Sequence, residues 1–250
     1  MEIYSYSQKL FIDSTVNLYM KTIGLIGGMS WESSAEYYRI INETVKEKLG
    51  GLHSAKCIMY SLDFEEIEKL QHRGKWKEAT ELMIDAAKRI EKGGADFILI
   101  CTNTMHKMAD EVQSNIKIPL LHIAEATAEK IISKGLKKVG LLGTKFTMEE
   151  DFYKGRLSKF GLDVIIPEED EREIIHSIIY KELCLGEIKG SSKEKFKKII
   201  ENLVYKGAEG IILGCTEIPL LIKQEDSPVP LFDTTKIHAQ SAVELSLNRF

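Results

Sequence analysis

The sequence predicts an α/β protein of two similar parallel-sheet lobes, related by a pseudo-two-fold axis, with the functional cleft between them. Three observations predict it. Short apolar runs alternate with amphipathic stretches along the chain, as expected for parallel strands covered by helices. The order then repeats in the second half: Thr22–Gly27 (T-I-G-L-I-G) returns as Lys138–Gly143 (K-V-G-L-L-G). Finally, G-A-D-F-I-L-I-C-T-N-T-M-H at 94–106 returns as G-A-E-G-I-I-L-G-C-T-E-I-P-L at 207–220. The offset between halves falls from 116 to 113 to 111 along the chain, so the copies differ by small loop deletions.

In order, the expected strands of the first half are Thr22–Gly27, Ala55–Leu62, Phe97–Cys101 and Ile118–Ile123. Uninterrupted apolar runs of this length suit strands buried on both faces. The expected helices are Ser33–Lys48, Lys77–Lys92 and His106–Ser114. In Lys77–Lys92 the apolar residues Ala79, Leu82, Met83, Ala86, Ala87 and Ile90 form one stripe, and Gly93-Gly94 ends it. The second half gives strands at Lys138–Gly143, Leu162–Ile166 and Gly210–Gly214 and a helix at Lys193–Lys206. Val229-Pro230-Leu231-Phe232 echoes Ile118-Pro119-Leu120-Leu121. The first lobe is expected from 21–122 plus 236–250, the second from 123–235, with 1–20 an extension outside the fold.

Bulk properties exclude several classes. A net charge of −4 argues against a dedicated nucleic-acid binder. No apolar run approaches the roughly 18 residues of a membrane span, and Met1–Met20 lacks the pattern of a secretory signal. Four cysteines without tight pairing suit a reducing, cytoplasmic setting. No C-x-x-C or H-E-x-x-H occurs, so no metal site is expected.

Ligands of open parallel sheets bind beyond the carboxyl ends of the strands. Cys215 sits at such an end. Backbone N–H groups after the strand are expected to lower its thiol pKa; packing as an inert core cysteine is the plain alternative. Cys101 lies seven residues after Gly94, but Cys215 lies eight after Gly207. Aligned from the glycines, the counterpart of Cys215 is Thr102. Side chains alternate faces along a strand, so Cys101 is expected to point into its lobe and Thr102 into the cleft. A bulge would reverse the two, which keeps Cys101 as the alternative. Thr102-Asn103-Thr104 offers hydroxyls, an amide and N–H groups suited to a carboxylate, or a helix cap. The loops Gly27–Trp31 and Gly143–Thr147 bring Met29, Ser30, Thr144 and Thr147 to the same edge. The first lacks the spacing of a dinucleotide fingerprint. Glu217 suits an ammonium contact or a helix cap. Cys57 and Cys184 read as structural, and the scattered histidines read equally as packed or functional.

With G-L-I-G-G-M-S-W-E-S, C-T-N-T-M-H, I-P-L-L-H-I, L-L-G-T and G-C-T-E-I in place, the chain from Lys21 to Leu247 resembles the aspartate/glutamate racemase superfamily. These are cofactor-independent amino-acid racemases. The resemblance implies two α/β lobes around a small-molecule amino acid and no cofactor. It implies two cysteines on opposite faces of Cα and a substrate carboxylate held by Asn103, Thr104 and Thr216, with Thr144 at the matching second-half loop. A homodimer is also common in the family.

Two departures stand out. Threonine, Thr102, occupies the place of the first cysteine. The Asp-Ser of glutamate racemases and their histidine after the second cysteine are replaced by Gly28-Met29 and Glu217. A threonine hydroxyl is a poor general base near neutral pH, so the expected enzyme favours L-enantiomers, the face the resemblance gives to Cys215. Hydantoin racemase, maleate isomerase and malonate decarboxylase activities are alternatives within the superfamily. A non-catalytic two-lobe sensor is the alternative outside it. Lys145 and Arg172 are candidates for a substrate side-chain carboxylate by loop position only.

Overall fold

The computed structural model describes residues 20–247; the expected extension lies outside them. The first lobe contains β1 (Ile23–Gly27), α1 (Trp31–Leu49), β2 (Cys57–Ser61), α2 (Phe64–His72), α3 (Trp76–Lys92), β3 (Phe97–Ile100) and α4 (Ala109–Ser114). The second contains α5 (Ile123–Ile132), β4 (Lys138–Gly143), α6 (Lys145–Glu149), α7 (Asp151–Lys159), β5 (Asp163–Ile165), α8 (Glu169–Lys181), α9 (Gly190–Tyr205), β6 (Gly210–Gly214), α10 (Ile218–Leu221) and β7 (Leu231–Asp233). α11 (Thr234–Leu247) closes the described chain.

Both sheets are parallel and share one topology: β2-β1-β3 in the first and β5-β4-β6-β7 in the second. The order places β1 and β4, the two T-I-G-L-I-G-like copies, at equivalent positions beside β3 and β6. The one strand difference is the expected run Ile118–Ile123. It forms only a single parallel bridge, Ile98 to Leu120, while Leu120 N–H bonds to Gln113 Oε1. Its second-half echo, β7, pairs along Leu231–Asp233. The expected helix His106–Ser114 splits into a 3-10 turn at Thr104–Met108 followed by α4.

All residues of β1 and β3 are buried. Alternation along them fills two different layers. Ile26, Ile98 and Ile100 pack with the α3 stripe of Ala79, Met83, Ala86, Ala87 and Ile90. Ile23, Leu25, Phe97, Leu99 and Cys101 pack on the other face with Tyr37 and Ile41 of α1 and Ala239, Ala242 and Val243 of α11. α11 also lies against α5, β6 and β7, so it ties the lobes together. Gly24 faces α3 so closely that an added Cβ would fall 2.4 Å from Ile90 Cγ2. Gly28 has φ 87°, a left-handed conformation open to glycine. It turns the chain from β1 into the first cleft loop.

Candidate active site

The carboxyl ends of β1, β3, β4 and β6 meet at one cleft. The first lobe contributes Met29, Ser30, Thr102, Asn103 and Thr104, and the second contributes Thr144, Gly214, Cys215, Thr216 and Glu217. Thr102 is partly exposed on this wall, while Cys101 is fully buried in the core. Burial alone holds the Cys101 thiol far above its ordinary pKa. Both residues lie just past β3, in the bend that follows Ile100.

Three contacts hold this end of β3. Cys101 N–H bonds to Ile26 O at 2.9 Å, Ser33 Oγ donates to Cys101 O at 2.7 Å, and His106 Nδ1 donates to Thr102 O at 2.7 Å. The last assignment follows from the other ring nitrogen, which accepts from Ile123 N–H at 3.2 Å. His106 therefore stands neutral between the two lobes. His122 accepts the Ala124 N–H on Nδ1 as the cap of α5. His238 donates from Nε2 to Leu121 O and accepts from Tyr37 on Nδ1. The rings of His122 and His238 lie 4.6 and 5.6 Å from that of His106. Burial depresses all three pKa values, His238 to about 4 and His122 to about 2.

Asn103 is oriented by a chain of donors. Its Nδ2 donates to Thr234 Oγ1 at 3.1 Å, and Thr234 Oγ1 donates to Leu213 O at 2.9 Å. Asn103 Oδ1 is left as a buried acceptor without a partner among the described residues. Thr104 and Thr144 meet across the cleft, Oγ1 to Oγ1 at 3.3 Å. Thr147 caps this arrangement from behind: it is fully buried, 3.2 Å from Thr144 Oγ1. It supports Thr144 and does not line the cleft, contrary to the expectation that it meets the ligand.

Glu217 organises the opposite wall. Its Oε2 accepts from the Cys215 thiol at 2.9 Å and from Thr216 Oγ1 at 2.8 Å; Oε1 accepts from Ser30 Oγ at 3.4 Å. Ser30 also caps α1, accepting from Ser33 N–H at 3.3 Å. The expectation of a lowered Cys215 pKa is overturned. Burial, then the adjacent Glu217 charge, raises it well above the usual value, because both disfavour the thiolate. The segment after β6 cannot offset them: Glu217 lies at its start, and α10 is only 4 residues long.

The rest of the cleft is made by Phe64 and Gln71 of α2, Ile179 and Tyr180 of α8, and Cys184 just beyond. Sequence reasoning missed these. Cys184 read as structural, yet its thiol lines the cleft and is pushed up to about 12 by burial and by Glu217 and Glu32. Nothing in local pattern marks the five, because α2 and α8 reach the site only through the packing of the lobes. Lys145 and Arg172 do not reach it. Lys145 pairs with Glu173, and Arg172 with Glu149.

The family profile described as Asp/Glu/Hydantoin racemase matches residues 26–242. The chain belongs to that family. Among its relatives is the broad-specificity amino-acid racemase of Bacillus subtilis (strain 168), 25% identical over 234 residues, or 90% of this chain and 98% of that one. The crystal structure of a Yersinia pestis protein assigned as an Asp/Glu racemase is 53% identical, with a TM-score of 0.88, covering 92% of this chain and all (100%) of that one. An aspartate racemase homologue from Pyrococcus horikoshii OT3 is 40% identical, with a TM-score of 0.81 over 92% of this chain and 100% of that one. Membership of the racemase family supports an isomerase of the racemase type. Among the described residues, no helix is long and apolar enough to cross a membrane.

Proposed function

We propose that the protein is a cofactor-independent amino-acid racemase that works unequally on the two faces of Cα and favours L-substrates. The supporting observation is the pairing of Thr102 and Cys215 at equivalent strand ends on one cleft, with the Cys215 thiol donating to Glu217. The half-buried thiol holds its proton at rest, so it needs a base, and the Glu217 carboxylate lies within hydrogen-bond reach. Glu217 takes the thiol proton, and the resulting thiolate takes the α-proton of the L-enantiomer. The electron pair of the broken C–H bond passes into the substrate carboxylate as an enolate. Of the nearby hydroxyls, those of Thr104 and Thr144 can turn to donate to it, whereas Thr216 Oγ1 already donates to Glu217. The unpartnered Asn103 Oδ1 accepts from the α-ammonium.

Return of a proton from Cys215 regenerates the L-form; delivery from the Thr102 side, relayed by water, gives the D-form. Because a threonine hydroxyl exchanges protons poorly, exchange with retention is expected to outrun racemisation by about 100-fold. Incubating single enantiomers in D₂O tests this, with deuterium at Cα read by NMR and configuration by chiral chromatography. Equal Cα exchange from L and D would overturn the asymmetry. Ligand binding with no exchange from any amino acid would point instead to a two-lobe sensor.

A further inference from the structure

We propose that the substrate is an α-amino acid with an uncharged side chain, seated against Phe64, Gln71, Ile179, Tyr180 and Cys184, and that aspartate and glutamate are poor substrates. This rests on the racemase reading and names its substrate class. The α-carboxylate and α-ammonium groups are accommodated by the strand-end residues, so the side chain must occupy the remaining wall. Among the described residues, no lysine or arginine lines the cleft. The cations on nearby elements are engaged elsewhere. Lys145 and Arg172 have carboxylate partners, Lys107 pairs with Glu150 at 2.6 Å while lying over Trp76, and Arg156 pairs with Asp110 and Glu125.

The electrostatic surroundings agree with the lining. Tyr180, Cys184 and Cys215 are all shifted upward, by burial first, then by Cys215, Cys184, Glu68 and Glu217 at Tyr180, by Glu217 and Glu32 at Cys184, and by Glu217 at Cys215. No cation contributes to any of the three. A second carboxylate brought here would lose water and gain no counter-ion. A cationic side chain fares little better: Glu32 is exposed to solvent in the first turn of α1, and the other two acidic groups already have partners. Glu217 already accepts from Cys215, Thr216 and Ser30, and Glu68 pairs with His72 at 2.9 Å. What the wall offers is apolar surface from Phe64 and Ile179 with the neutral polar ends of Gln71 and Tyr180.

The test uses near-isosteric pairs that differ in charge: L-glutamine against L-glutamate and L-asparagine against L-aspartate, with L-lysine as the cationic arm. Cα exchange in D₂O is measured for each with the full chain. The expected result is a kcat/KM at least about 100-fold higher for each amide than for its acid. Phe64→Lys or Gln71→Lys is expected to raise the glutamate-to-glutamine ratio at least about tenfold. Phe64 is only half-buried at the start of α2, so it gives a usable variant if the buried Gln71 does not tolerate lysine. Acids as good as their amides, lysine as the best substrate, or an unmoved ratio in a folded lysine variant would each overturn the assignment while leaving the racemase reading standing. Exchange from none of the amino acids would overturn both.

Discussion

The three inter-lobe histidines should make the fold acid-sensitive well above the range where carboxylates titrate. His106, His122 and His238 are all nearly or fully buried, and burial lowers each pKa from about 6.5, His238 to about 4 and His122 to about 2. Between those values and 6.5 the unfolded chain binds protons that the folded chain refuses, so stability falls as pH falls. At pH 5, His122 and His238 each cost about 2 kcal/mol relative to pH 7.5, together about 4 kcal/mol, and His106 adds to the loss in the same direction. That is a large fraction of the whole stability of a typical domain. The perturbation that isolates one term is His122→Asn. Asparagine keeps an acceptor for Ala124 N–H and is a good N-cap, while His122 Nε2 has no partner to lose among the described residues. Urea unfolding at pH 7.5 and pH 5.0 is the assay. Wild type should lose at least about 4 kcal/mol, and His122→Asn about 2 kcal/mol less than wild type. Equal stability at the two pH values, or an undiminished loss in the variant, would refute the argument.

Three further outcomes follow from the site and its support. Thr102→Cys should raise Cα exchange of D-substrates by about 100-fold, because it puts a proton-transferring thiol on the second face; chiral exchange assays check it. Glu217→Gln should lower L-exchange by about 100-fold by removing the acceptor for the Cys215 proton, and thiol titration should show a lower Cys215 pKa, since the nearby charge that raises it is gone. Gly28→Ala should destabilise the protein by at least about 3 kcal/mol. The new Cβ would sit 2.0 Å from Leu62 O at a φ of 87°, and backbone cannot yield as a side chain can; thermal unfolding measures it.

Much of this architecture was legible in one dimension because strands buried on both faces leave uninterrupted apolar runs and duplicated lobes repeat them. Lys138–Gly143 and Gly210–Gly214 coincide with β4 and β6 residue for residue. The period of two read for Phe97–Cys101 predicts Cys101 inward, and Cys101 is buried in the core while Thr102, just past the end of β3, lines the cleft. Where one partner strand is short, pattern misled: Ile118–Ile123 has the apolar content of a strand, but its backbone is taken up by Gln113 and by a single bridge to Ile98.

By itself, then, the sequence determined two parallel-sheet lobes and the chemical groups at their strand ends, since alternation and repeat are local properties of the chain. Tertiary packing decided everything that depends on distance between segments far apart in sequence. It packed the surroundings of the Cys215 thiol, beside its sequence neighbour Glu217, and the resulting desolvation is the first cause of a pKa raised where the local helix argument would lower it. It closed the His106, His122 and His238 cluster between the lobes. It also brought α2 and α8 together as a side-chain wall without a cation. Burial and charge proximity are sums over neighbours in space, and no window along the chain contains them.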